Sequence, residues 1–174
     1  LDGTSASYFK YKGKFGVCSR NMELKNPRTP LGFIQYLKRE IRKLLGKTKK
    51  SVPPTNTYWK MVDKYKIDEW LPDGYAIQGE IVGLGIQKNP MELKELELYI
   101  FNYFDIKQQK YLFPLKLLET SEQFCLCGID FVPLEENERE FNYTLEQLLE
   151  RARGKYLNTT HNKEGIVIRA IDQS

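Results

Sequence analysis

An α+β fold with largely antiparallel sheets is what this sequence predicts. Three observations lead there. The chain opens on alternating apolar and polar residues around a glycine turn. Segments of strand character outnumber helical ones, and no strand–helix–strand alternation appears that would build a parallel sheet.

The elements follow in order. In SASYFKYKGKFGVCSR, β-favouring aromatics flank Lys12-Gly13-Lys14, which predicts two strands joined by a tight turn. Residues 25–54 change character. TPLGFIQYLKREIRKLLG puts Leu31, Ile34, Leu37, Ile41, Leu44 and Leu45 at helical spacing. Lys38, Arg39, Arg42, Lys43, Lys47, Lys49 and Lys50 crowd the rest, so the stretch 27–54 reads as a basic helical insertion. Ser51-Val-Pro-Pro ends it.

A short helix is expected from Tyr58 to Tyr65. Tyr75 to Leu84 reads as a strand, and Leu96 to Ile106 as another with a near-continuous apolar run. Residues 112–120 fit either state, and Phe124 to Pro133 reads as a strand. Thr144-Leu-Glu-Gln147 is a capping box, which opens a helix running to about Arg153 and stopped by Gly154. Gly165 to Ile171 is the expected last strand. No internal repeat is present. The reading is a single domain over 1–174, with both ends expected to continue.

Composition bounds the partners. The chain has 174 residues, 41% of them hydrophobic, which is enough apolar side chain for one sizeable core. A net charge of +4 permits a polyanionic partner without demanding one. Cys18, Cys125 and Cys127 are odd in number, and Cys125-Leu-Cys127 has the wrong spacing for a zinc knuckle. With His161 the single histidine, neither a structural zinc site nor a disulfide framework is expected. No run of about 18 apolar residues and no signal-peptide layout occurs, so the expected setting is intracellular and cytoplasmic, with no membrane partner.

Three carboxylates stand out by context. Asp2, Glu80 and Glu164 each adjoin a glycine, which lets a ligand or a strand come close to the backbone. Asp2 lies in a turn, Glu80 within a strand and Glu164 at the head of one. If they converge, a cation between them relieves their repulsion, and Mg²⁺ suits an oxygen-rich, partly hydrated site. Taken singly, each acid also fits a solvated turn or strand end.

The ordered set of motifs resembles the covalent nucleotidyltransferases, and specifically the adenylation domain of ATP-dependent RNA ligases. LDGTS matches the first motif, Lys-x-Asp-Gly, if a lysine precedes Leu1. Ser19-Arg20-Asn21, YAIQGEIVG around Glu80, LYIFNYFDI ending in Phe104-Asp105, and Glu164-Gly-Ile-Val-Ile-Arg169 match the next four. The resemblance implies a lysine that attacks the α-phosphate of ATP, transfer of AMP to a 5′-phosphate on RNA, and sealing by a 3′-hydroxyl. It implies Asp2, Glu80 and Glu164 as catalytic and metal-holding residues, with Mg²⁺ or Mn²⁺. It further implies Gly3, Thr4, Arg20, Glu80 and Phe104 around the nucleotide, with Phe104 against adenine and Asp105 as a support.

Strand parity puts Arg169 on the face opposite Glu164, so it stays outside that set. Lys10 and Lys12 fall in the first strand and turn and do not replace the missing nucleophile. A final lysine-bearing motif is expected beyond Ser174. The basic stretch 27–54 fits a surface helix packed by its Leu/Ile stripe with solvated lysines, ahead of the alternative that it meets RNA phosphates. The alternatives are a ligase-like module without catalysis, a DNA ligase, against which Ser5 speaks, and a capping-type enzyme.

Overall fold

The computed structural model describes residues 1–28, 37, 41, 56–112, 128–135, 141–156 and 159–169. The opening hairpin forms as its alternation requires. Strand β1 (Thr4–Tyr11) pairs antiparallel with β2 (Lys14–Ser19). Lys12 and Gly13 turn between them at φ 51° and 72°, the left-handed pair that a two-residue hairpin loop needs. Asp73 accepts the Gly13 N–H at 2.7 Å and ties the turn to the start of the next strand.

Strands β3 (Tyr75–Val82), β4 (Glu97–Asp105), β5 (Lys110–Leu112) and β6 (Asp130–Phe131) complete a six-stranded sheet of order β2-β1-β3-β4-β5, with β6 also on β4. Every pairing is antiparallel except the short β4–β6 contact. The sheet is therefore the antiparallel α+β architecture that the sequence predicts.

One face of the sheet is the core. Ala6, Tyr8, Val17, Ile77, Ile81, Leu98, Ile100 and Tyr103 are buried on it. Helix α1 (Thr57–Tyr65) covers this face with Trp59, Met61, Val62 and Tyr65, and α2 (Ile67–Trp70) adds Ile67. Burial of this apolar surface is the main stabilising term. Polar groups fix the docking. Asn56 Oδ1 accepts the Tyr58 N–H and caps α1, and the Tyr8 hydroxyl donates to the Tyr58 carbonyl at 3.2 Å. Arg28 clamps α1 and α2 together through ion pairs with Asp63 and Asp68.

Helix α3 (Leu145–Ala152) carries the predicted capping box, with Thr144 and Gln147 bonding reciprocally. Two strand expectations need correction. Within Phe124–Pro133 the described strand is only Asp130–Phe131, and residues 124–127 lie outside the described residues. No ladder forms over 165–169, the described part of the predicted Gly165–Ile171 strand. Gly165 sits at φ 145°, far from strand geometry, and Val167 and Ile168 are exposed, with no pairing neighbour among the described residues. Most of the predicted insertion, residues 29–36, 38–40 and 42–54, lies outside the described residues, as do 113–120, Cys125 and Cys127. Leu37 and Ile41, from its apolar stripe, are helical and exposed.

Candidate active site

Three remote segments meet at the start of β1. Ser5 pairs with Glu80 across β1 and β3, so the residues just before it run beside that glutamate. Gly3 makes the approach possible. A Cβ there would lie 2.4 Å from the Ile81 carbonyl oxygen and 2.8 Å from Glu80 Cγ, closer than atoms can pack. The third segment arrives from the far end of the chain. The Leu1 nitrogen lies 3.7 Å from Glu164 Oε2, and the Asp2 N–H donates to the Tyr156 hydroxyl at 3.0 Å.

Glu80 registers this crowding. Burial raises its carboxyl above the ordinary carboxylate range, and the charges of Glu164 and Asp2 push the same way. The guanidinium of Arg20 opposes them. Asp2, Glu80, Glu164 and Arg20 therefore share one electrostatic neighbourhood, although they come from a turn, a strand, a loop and the end of a hairpin.

The sheet face opposite the core continues from Glu80. Gln78 lies two residues from it on the same face and accepts a 2.7 Å hydrogen bond from Asn102 Nδ2 on β4. Phe104 follows Asn102 on that face, half-buried, with its ring edge-to-face against Tyr111 at 5.0 Å. A β-bulge around Phe101 shifts the β3–β4 register between Gln78 and Gly79. It lets Tyr99, opposite Glu80, share a face with Asn102 and Phe104 despite the odd spacing. Arg169 also reaches this face. It donates to the Phe101 carbonyl at 2.8 Å, pairs with Asn102 Oδ1, and lies over the Phe101 ring. Parity predicts the opposite side for Arg169, but parity needs a regular strand and none forms there.

A family model described as RNA ligase matches residues 1–174. The chain belongs to the RNA ligase family. A Naegleria gruberi RNA ligase solved with PPi has the same fold over 95% of this chain, at 30% identity and a TM-score of 0.73. A lysine-to-alanine variant of that ligase with ATP and Mn, and a glutamate-to-alanine variant with AMP and Mn, each match at 29% identity and a TM-score of 0.70. This chain spans 42% of the first of these and 43% of the other two. No curated protein sequence matched. The match places the chain with RNA ligases rather than with DNA ligases or capping enzymes.

Among the described residues, no three acidic, histidine or cysteine side chains stand close enough to grip a metal ion directly. Asp2 and Glu164 act on Glu80 by charge, and three carboxylates are the oxygen donors that a hard divalent ion takes. Thr4 turns the other way. Its hydroxyl pairs with that of Tyr58 at 2.9 Å on the helix side of β1, where it lines a cavity of about 370 Å³ with Thr57, Gly85, Ile86 and Gln87.

Lys10 donates to the Asp68 carbonyl, and Lys12 lies over the Tyr11 ring, so neither stands among the acids. Asp105 supports the fold as expected, accepting the Gln108 N–H at 2.8 Å to close the β4–β5 turn. Cys18 is half-buried, and burial raises its thiol, which disfavours the thiolate. No described helix is long and apolar enough to cross a membrane.

Sequence reasoning misses Tyr156. Nothing in GKYLNTTHNKEG distinguishes it from an ordinary core tyrosine. Only the contact with Asp2, across 154 positions of the chain, marks it.

Proposed function

We propose that this chain forms the adenylation domain of an ATP-dependent RNA ligase that joins 5′-phosphate and 3′-hydroxyl RNA ends. Support for the reading comes from Glu164 lying 3.7 Å from the Leu1 nitrogen and from the charges of Asp2 and Glu164 acting on Glu80. A lysine directly ahead of Leu1 would emerge into that acidic cluster. Such a lysine must lose its proton before it can attack, since its ordinary pKa is about 10.4. Its neutral nitrogen would then attack the α-phosphate of ATP, forming an N–P bond as pyrophosphate leaves.

AMP next passes to an RNA 5′-phosphate and is displaced by a 3′-hydroxyl. Each step exchanges one phosphorus bond for another, so no oxidant or reductant is needed. Among this chain's residues, Phe104 offers an aromatic face to adenine. Arg20 offers a guanidinium to ribose or phosphate. Glu80 either accepts from a ribose hydroxyl or helps hold Mg²⁺ or Mn²⁺ with Asp2 and Glu164. When bound, the ion supplies positive charge that favours the neutral amine and shields the phosphates. Gly3 keeps the backbone close to Glu80, whereas Thr4 contributes to the loop from the other side of β1.

The test is labelling of the full-length protein with ATP carrying a radioactive α-phosphate, in Mg²⁺ or Mn²⁺. An acid-labile protein–AMP adduct is expected, and Glu164→Ala is expected to lose it. A correctly folded wild-type protein that takes no label, yet still binds nucleotide or RNA, supports the non-catalytic module instead.

A further inference from the structure

The Tyr156 hydroxyl receives the backbone N–H of the Leu1–Asp2 peptide at 3.0 Å. The tyrosine itself is 8% exposed and is held at both backbone groups. Its N–H donates to the His161 carbonyl at 3.0 Å, and its carbonyl accepts from the Thr159 N–H at 3.1 Å and from the Thr159 hydroxyl at 3.2 Å. Lys155 and Asn162 bridge across the same turn, and the Lys163 N–H donates to the Gly154 carbonyl at 2.9 Å. The turn that anchors Tyr156 therefore also delivers Glu164, the next residue along. The same hydrogen-bonded turn leads to both the acid and the tyrosine that meets the incoming peptide.

We propose that Tyr156 is a positioning residue for lysine adenylation, its hydroxyl orienting the Leu1–Asp2 peptide so that the side chain ahead of Leu1 is aimed past Glu164. This rests on the ligase reading above. A further observation agrees with it. Burial keeps the phenol protonated, as a fixed polar anchor rather than a charge. A phenol that accepts from a backbone N–H here acts on geometry. Geometry matters because an attacking atom displaced by about 1 Å loses on the order of a hundredfold in rate.

Tyr156→Phe separates this role from simple packing, because it keeps the ring and removes the acceptor. In the full-length protein, Y156F is expected to keep its melting temperature within about 3 °C. Its KM for ATP is expected within about twofold of wild type, with the rate constant of adduct formation down about tenfold or more. Amide hydrogen exchange at Asp2 is expected to quicken in parallel. Wild-type labelling with an unchanged rate in Y156F overturns the tyrosine's role and leaves the ligase reading standing. A large fall in melting temperature, with KM and rate constant worsening together, assigns Tyr156 to the fold and overturns the role as well. A wild-type protein that takes no label removes the ligase reading and this inference with it.

Discussion

Glu80 illustrates how much a single residue reports. Its carboxyl holds a proton above the ordinary value of 4.5 because burial removes water and two acids stand near. Between the ordinary value and the raised one, the folded state binds a proton that the unfolded chain has released. Stability contributed by this group is therefore full below pH 4.5 and is lost as pH rises through the folded value. Glu80→Gln is expected to flatten that decline, read from melting temperatures taken across the acidic range. Added Mg²⁺ is expected to restore stability to the wild type at neutral pH and not to the variant, since the ion favours the ionised carboxylate. Identical pH profiles for the two proteins would refute the account of Glu80. The residue type was legible in GE, but the proton affinity was not. It depends on Glu164 and Asp2, 84 and 78 positions away along the chain.

At the scale of elements, local chemistry and tertiary context divide cleanly. The β1–β2 hairpin and the α3 capping box are encoded within a few residues, and both form where the sequence places them. Helix α3 buries none of its residues, so its cap stabilises the helix rather than the whole fold. Thr144→Ala removes a cap worth about 1 kcal/mol. The expected outcome is amide exchange through 145–152 faster by about fivefold, with the global melting temperature little changed. A large global shift would mean that α3 is coupled to the core more tightly than its exposure indicates. The predicted strand over 165–171 shows the opposite case. Its apolar residues have strand character, yet a strand needs a neighbour's backbone, and among the described residues 165–169 pair with none, with Gly165 at φ 145°. Arg169 instead bonds to Asn102. The bulge at Phe101 is likewise invisible in the apolar run of β4, because an extra residue in a ladder is defined by its partner strand.

For the whole molecule, the sheet separates two tasks. Its inner face joins β1, β3 and β4 to the helices in one apolar core, and its outer face carries Glu80, Gln78, Asn102 and Phe104. The positive balance of +4 permits a long anionic partner without demanding one. If the basic stretch 27–54 engages RNA, charge reversal at Arg39, Arg42 and Lys43 lowers the salt dependence of RNA binding. The log–log slope changes by about 0.7 for each single-strand phosphate that the variant no longer neutralises. These three residues lie outside the described residues, so the expectation rests on their sequence pattern alone. An unchanged slope rejects it and assigns the lysines and arginines to a solvated helix face.

The sequence by itself determined the antiparallel α+β class, the hairpin, the capped helix and the identity of the acids, because period, turn chemistry and capping act over a few neighbouring residues. Only the tertiary structure decided that Asp2 and Glu164 act on Glu80, that Thr4 pairs with Tyr58 on the helix side, and that Tyr156 accepts the Asp2 N–H. Those facts are contacts between distant segments. They arise when strand pairing and core burial bring the chain's opening residues against its last described loop, and no local pattern carries them.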